Sequence, residues 1–125
     1  MKTILAVLIL LLSSVANATE LDWKWTKADT AIQATWTVLH IVDWSQTRQI
    51  AKEPRRFYEG NPILGRHPSV GRVDTYMALS AVANLGVAYA LPKPYRRYFQ
   101  VLSIGITGKC VILNFDIGLG GGDWF

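Results

Sequence analysis

Charge is scarce in this 125-residue chain: only 18% of residues are Asp, Glu, Lys or Arg, against roughly 25% in typical soluble proteins. Half of the residues are hydrophobic, enough for one domain core, and the chain is too short for two. The single cysteine, Cys110, excludes an internal disulfide, and its apolar surroundings make it a small hydrophobe rather than a redox group. Two histidines, His40 and His67, fall short of the three or four convergent ligands that a metal requires, so neither a metal nor another cofactor is expected. None of Ser45, Ser69, Ser80 and Ser103 sits in a Gly-x-Ser-x-Gly turn. The glycine run from Gly118 has no following Lys-Ser/Thr, which removes a phosphate loop. Alternating strands are missing, so the terminal Phe125 does not signal an outer-membrane barrel. The net charge of +4 comes without a basic stripe interleaved with aromatics, and no nucleic-acid partner is expected.

What is present points to a membrane. Residues 1–18 read as an export signal: Lys2 gives the positive start, Ile4 to Leu12 the apolar run, and Ala16-Asn17-Ala18 a cleavage site. Trp23 and Trp25, beside Lys24 and Lys27, suit a membrane interface. Asp29 or Thr30 is the expected N-cap of a first, moderately hydrophobic span over 30–47. A second helix, 73–91, is apolar all round and carries small residues at Ala78, Ser80, Gly86 and Ala90 for close packing. Pro92-Lys93-Pro94 ends it, and a basic aromatic belt, 95–99, precedes the last apolar run, 101–117. Residues 118–125 read as a flexible Gly-rich tail. The expected architecture is all-α: a small helical membrane bundle of three apolar helices after the signal, with residues 19–117 as one domain.

Between the first two helices lies a cationic loop, 46–72, with Arg48, Lys52, Arg55, Arg56, Arg66 and Arg72 against Glu53 and Glu59. Its prolines and glycines break regular helix. By the positive-inside rule it is cytoplasmic in a bacterial inner membrane, although Lys93, Arg96 and Arg97 then lie outside, where Arg96 and Arg97 would snorkel to lipid phosphates. The alternative is a soluble periplasmic helical protein that binds or inhibits an envelope enzyme.

Polar groups within apolar helices carry the functional expectations, because each is costly unless paired or used. The set is His40, Asp43, Asn84, Lys109, Asn114 and Asp116. His40 and Asp43 share a helix face. Asp43 and Lys109 are expected to form an intramembrane charge pair between the first and third spans. Asp43, Gln46, Thr47, Glu59 and Asn61 are expected to form a structural clasp that closes the loop over the end of the first span. An acidic pocket of Asp43, Glu59, His67 and Asp74 is the best catalytic alternative, whether for hydrolysis or for ion handling.

The runs Asp43-Trp44-Ser45-Gln46-Thr47, Glu59-Gly60-Asn61-Pro62-Ile63-Leu64-Gly65 and His67-Pro68-Ser69 together resemble a family of small, uncharacterised helical membrane proteins of phages and proteobacteria. The resemblance covers about 31–117. It implies a helical membrane protein and transfers no activity. The expected partners are the lipid bilayer and either an envelope protein or a second copy of the chain, with binding rather than catalysis as the leading role.

Overall fold

The computed structural model describes residues 21–120, together with Ala6; the rest of the expected signal segment and residues 121–125 lie outside the described part. Three helices follow one another: α1, Lys27–Lys52; α2, Val70–Ala90; and α3, Tyr95–Asp116. No strand forms among the described residues; the one β-bridge joins Asp22 to Lys93.

The helices α1 and α2 begin earlier than their apolar runs because polar caps lie upstream, whereas α3 begins at Tyr95, after Pro94, with no side-chain cap. Thr26, not Asp29 or Thr30, caps α1. Its Oγ1 accepts from the Asp29 amide at 3.2 Å, and the Asp29 carboxylate accepts from the Thr26 amide at 2.9 Å. This reciprocal capping box satisfies two amides that an uncapped helix would leave bare. Ser69 caps α2 by accepting from the Arg72 amide at 3.1 Å. The belt 95–99 is the first turn and more of α3 rather than a separate linker. At the other end of α1, helix continues through Lys52 and stops before Pro54, whose ring does not fit a helix interior.

Side-chain partners fix the directions. Asp29 meets Arg96, Gln33 meets Gln100, Trp36 meets Thr107 and Asp43 meets Asn114, so α1 and α3 run parallel. Gln33 meets Asn84, His40 meets Met77 and Trp44 meets Asp74, so α2 runs antiparallel to α1. The helix α1 packs against both others, whereas α2 and α3 touch each other little.

Polarity is distributed inside out. The buried side chains of the bundle include Asp29, Gln33, His40, Gln46, Arg96 and Gln100, while Val38, Leu79, Leu85, Ile112 and Phe115 are exposed. Val82 is 72% exposed and Leu102 62%; Arg96 and Gln46 are 0% exposed. The helix α3 is long and apolar enough to cross a membrane, and only 11% of its apolar window is buried. Among the described residues α3 alone meets that measure, so a bundle of three spans is not established by length and composition.

The loop between α1 and α2 docks through two apolar side chains. Phe57 joins Ile50 and Leu119 in one cluster, and Leu64 joins Val73 and Met77 in another, beside Trp44, Ala51 and Tyr76. Their sequence neighbours Tyr58 and Ile63 face outward. Of the expected tail, residues 118–120 are described: Leu119 is buried and the Gly120 amide donates to Gln49 Oε1 at 3.1 Å. Gly120 adopts φ 98°, and a Cβ there would lie 2.5 Å from the Phe115 ring, so only glycine fits this turn.

Candidate functional site

A polar stripe on α1 holds the bundle together. Asp29, Gln33, Trp36, His40, Asp43 and Thr47 follow one another at steps of four or three, the spacing that keeps residues on one helix face. On α3 the matching stripe is Arg96, Gln100, Ser103, Thr107 and Asn114. At one end the Arg96 guanidinium, wholly buried, contacts the Asp29 carboxylate at 3.1 Å. It also donates to the carbonyls of Ala88 at 2.7 Å, Trp23 at 2.9 Å and Lys24 at 3.0 Å, and lies over the Trp25 ring. One side chain thus ties the segment before α1 to the end of α2 and the start of α3, using the forked donors that only arginine has.

Burial works against the Asp29 charge, but hydrogen bonds from Thr26, Arg97 and Arg96 outweigh it and hold the carboxyl down to about 2. Arg96 and Arg97 therefore turn inward to Asp29 rather than snorkelling; Arg97 contacts it at 3.3 Å. Lys93 pairs with Asp22 at 3.6 Å.

Next along the axis, Gln100 Nε2 donates to Gln33 Oε1 at 3.3 Å, Gln33 Nε2 to Asn84 Oδ1 at 2.9 Å, and Asn84 Nδ2 to Ser103 Oγ at 3.0 Å. All three helices meet in this chain of amides. Beyond it the bundle opens into a cleft of about 620 Å³, bordered by α1, by the diverging α2 and α3, and by the loop at Glu59, Gly60 and Asn61. Its walls mix acceptors and apolar groups: His40, Asp43 and Glu59 on one hand, Met77, Ile106 and Leu113 on the other.

The sequence candidates divide around this cleft. Asp43 and Glu59 both line it and lie close enough for their charges to interact. His67 is exposed and does not line it, and Asp74 is engaged elsewhere, accepting from Trp44 Nε1 at 2.7 Å and pairing with Arg48. The expected four-residue acidic pocket thus assembles only by half. The expected Asp43–Lys109 pair does not form: Asp43 Oδ1 accepts from Asn114 Nδ2 at 3.2 Å, Lys109 is exposed on α3, and no ion pair joins the two among the described residues. Asp116, at the end of α3, is exposed too.

The clasp residues also sort differently from the expectation. Asp43, Thr47, Glu59 and Asn61 face one cleft, yet their hydrogen bonds stay on their own sides. Thr47 donates to the Asp43 carbonyl at 2.8 Å, Glu59 accepts from the Asn61 amide at 2.9 Å, and Gln46 Oε1 accepts from Asn114 at 3.1 Å. Phe57 and Leu64 do the closing instead.

His40 is nearly buried between Trp36, stacked at 4.6 Å, and Trp44. Its Nε2 lies 2.9 Å from the Met77 carbonyl, which accepts only, so Nε2 carries the proton and Nδ1 keeps a lone pair in the neutral ring. No group of three His, Cys, Asp or Glu converges as a metal site among the described residues.

Gln33 and Gln100 are interior positions that reading for apolar runs passes over, and Arg96 is one that it directs to the lipid surface. The signal that finds them is the polar spacing itself, four and three along both helices. Comparison with family models finds no match to the chain, and comparisons with curated proteins and with solved structures find none either.

Proposed function

We propose that this chain is a small integral membrane protein of the cell envelope that acts by binding, with the α1–α2–α3 bundle embedded in lipid and the cleft beside Asp43 as its binding feature. The inside-out distribution of polarity carries this reading. In water, exposing Leu79, Val82, Leu102, Ile106 and Ile112 while burying Asp29, Gln33, Arg96 and Gln100 is unfavourable on both counts. In lipid the apolar exterior costs nothing, and the polar side chains find partners only by turning inward.

Helix lengths of 21 and 22 residues for α2 and α3 correspond to ~31–33 Å, close to the roughly 30 Å of a bilayer's hydrocarbon core. In this placement the spans occupy 30–47, 73–91 and 101–117. Trp23 and Trp25 mark one interface, and the cationic loop 46–72 lies at the other, on the cytoplasmic side by the positive-inside rule. An export signal followed by apolar spans makes the bacterial inner membrane the setting. The catalytic alternative is weaker, because its proposed pocket keeps Asp43 and Glu59 but neither His67 nor Asp74.

Membranes from cells expressing the chain, washed with alkaline carbonate, test the location. Retention in the pellet is the expected outcome. Release by carbonate or by salt refutes integral insertion and favours the soluble periplasmic alternative.

A further inference from the structure

We propose that the cleft between α2 and α3 binds an alkylammonium head group, and that its source is an aminophospholipid entering sideways from the bilayer. This rests on the membrane-embedded reading and specifies the ligand of that same site.

Four observations converge. The cleft holds two carboxylates, Asp43 and Glu59, neither of which has an ion-pair partner among the described residues. Each accepts a single hydrogen bond there, from Asn114 and from the Asn61 amide, leaving most of the acceptor capacity of each carboxylate unused. The third group is His40: only 5% exposed, it borders the cleft, its Nε2 is committed to the Met77 carbonyl, and its other ring nitrogen, an acceptor when the ring is neutral, has no hydrogen-bond partner among the described residues. An ammonium group offers three donors and a positive charge, which complements acceptors of this kind, and a phosphate attached to it would lie away from the two carboxylates.

The remaining walls decide what the ammonium is attached to. Ile106 and Leu113, both on the exposed face of α3, border the cleft, and α2 and α3 scarcely touch. The opening therefore leads outward between apolar helix faces, a path for a hydrocarbon chain. About 620 Å³ is within the range of small-ligand sites, enough for a head group and the first part of its chains.

The full chain, purified in mild detergent, would be examined by native mass spectrometry with dioleoyl-phosphatidylethanolamine and dioleoyl-phosphatidylglycerol supplied in equal amounts. Preferential retention of phosphatidylethanolamine is expected. The Asp43→Asn/Glu59→Gln variant should lower that preference at least tenfold, since losing even one charge-assisted contact has about that effect, while its helicity by circular dichroism stays that of the parent. Ile106→Trp, which narrows the tail path and leaves both carboxylates, should lower retention as well, and so tests the site without touching its charges.

Equal retention of the two lipids, or an unchanged preference in the folded double variant, overturns the proposal. A third arm adds ethanolamine as competitor. Displacement only at concentrations far above those of the lipid supports the lipid source; displacement at equal concentration overturns it in favour of a free amine. Should carbonate release the chain, the membrane reading falls on that result alone, and ethanolamine binding to the released protein, measured with and without Asp43→Asn/Glu59→Gln, still judges the cleft.

Discussion

Arg96 is the residue on which most of the bundle's polar interior depends. It is wholly buried and shares its donors among the Asp29 carboxylate, the carbonyls of Trp23 and Lys24 before α1, and the carbonyl of Ala88 in α2. Arg96→Met is expected to lower stability by about 3–5 kcal/mol, because it leaves Asp29 buried with only Arg97 and its cap. Arg96→Lys should recover little of this, since an ammonium cannot reproduce the fork. Thermal unfolding in detergent checks both, and an unchanged Tm for Arg96→Met contradicts the assigned role. Asp29, in the first turn of α1, adds a pH signature. Its folded pKa, about 2, lies below the roughly 3.9 of an unfolded aspartate. The unfolded state therefore binds more protons in that window, and stability rises with pH across it. Asp29's contribution is fully present above about pH 4 and is lost as pH falls through 2. Acid titrations of the parent and Asp29→Asn should accordingly converge towards pH 2; a gap that persists there argues against the charge as the source.

The three helices differ in how openly the sequence declares them. The apolar run of α2 and the Pro92-Lys93-Pro94 break were legible, as was the existence of a helix in each of three places. The starts were not, because Thr26, Ser69 and the 95–99 turn lie among polar or aromatic residues where apolar counting gives no signal. The pairing of Asp43 was misread for a related reason. Charge matching selected Lys109, whereas helix register selected Asn114, four residues beyond Cys110 on the side facing α1. Loop docking was legible as a tendency, since Phe57-Tyr58 and Ile63-Leu64 are apolar pairs, but which member of each pair turns inward depends on backbone turns that the pairs do not encode. Leu64→Ala should therefore cost about 2–5 kcal/mol, and Ile63→Ala, at an exposed position, within about 0.5 kcal/mol. Limited proteolysis of the 46–72 loop reads the difference: faster cleavage only in Leu64→Ala is expected, and equal cleavage in both would sink the docking account. On the outer faces, Val82→Lys places a charge where lipid is expected, at about 2.5–3.5 kcal/mol on insertion scales. Membrane yield should fall sharply, whereas in a water-exposed helix the same change is nearly neutral.

At the scale of the whole molecule, the described residues form an up-down-up bundle whose interior is stitched by polar side chains and whose exterior is apolar. The parallel α1–α3 pair supplies the stitching, and the divergence of α2 from α3 opens the cleft. A polar stripe at steps of four and three, read with the low charge content, was enough in principle to see the inversion from sequence. The face that His40 and Asp43 share extends to Asp29, Gln33 and Thr47 on the same helix, and Asp29, Gln33 and Thr47 lie towards or beyond the ends of the apolar run, where a polar residue carries no evident cost. The central claim is that the exposed apolar faces meet lipid, and a spin label at position 102 tests it most directly. In a Cys110→Ser background, Leu102→Cys would be labelled and the protein reconstituted in phospholipid bilayers, and collision rates with oxygen, which partitions into lipid, would be compared with those of a water-soluble nickel chelate. High oxygen and low nickel accessibility at this position is the expected result. High nickel accessibility would place the face in water, and low values for both reagents would place it against protein; either result contradicts the claim.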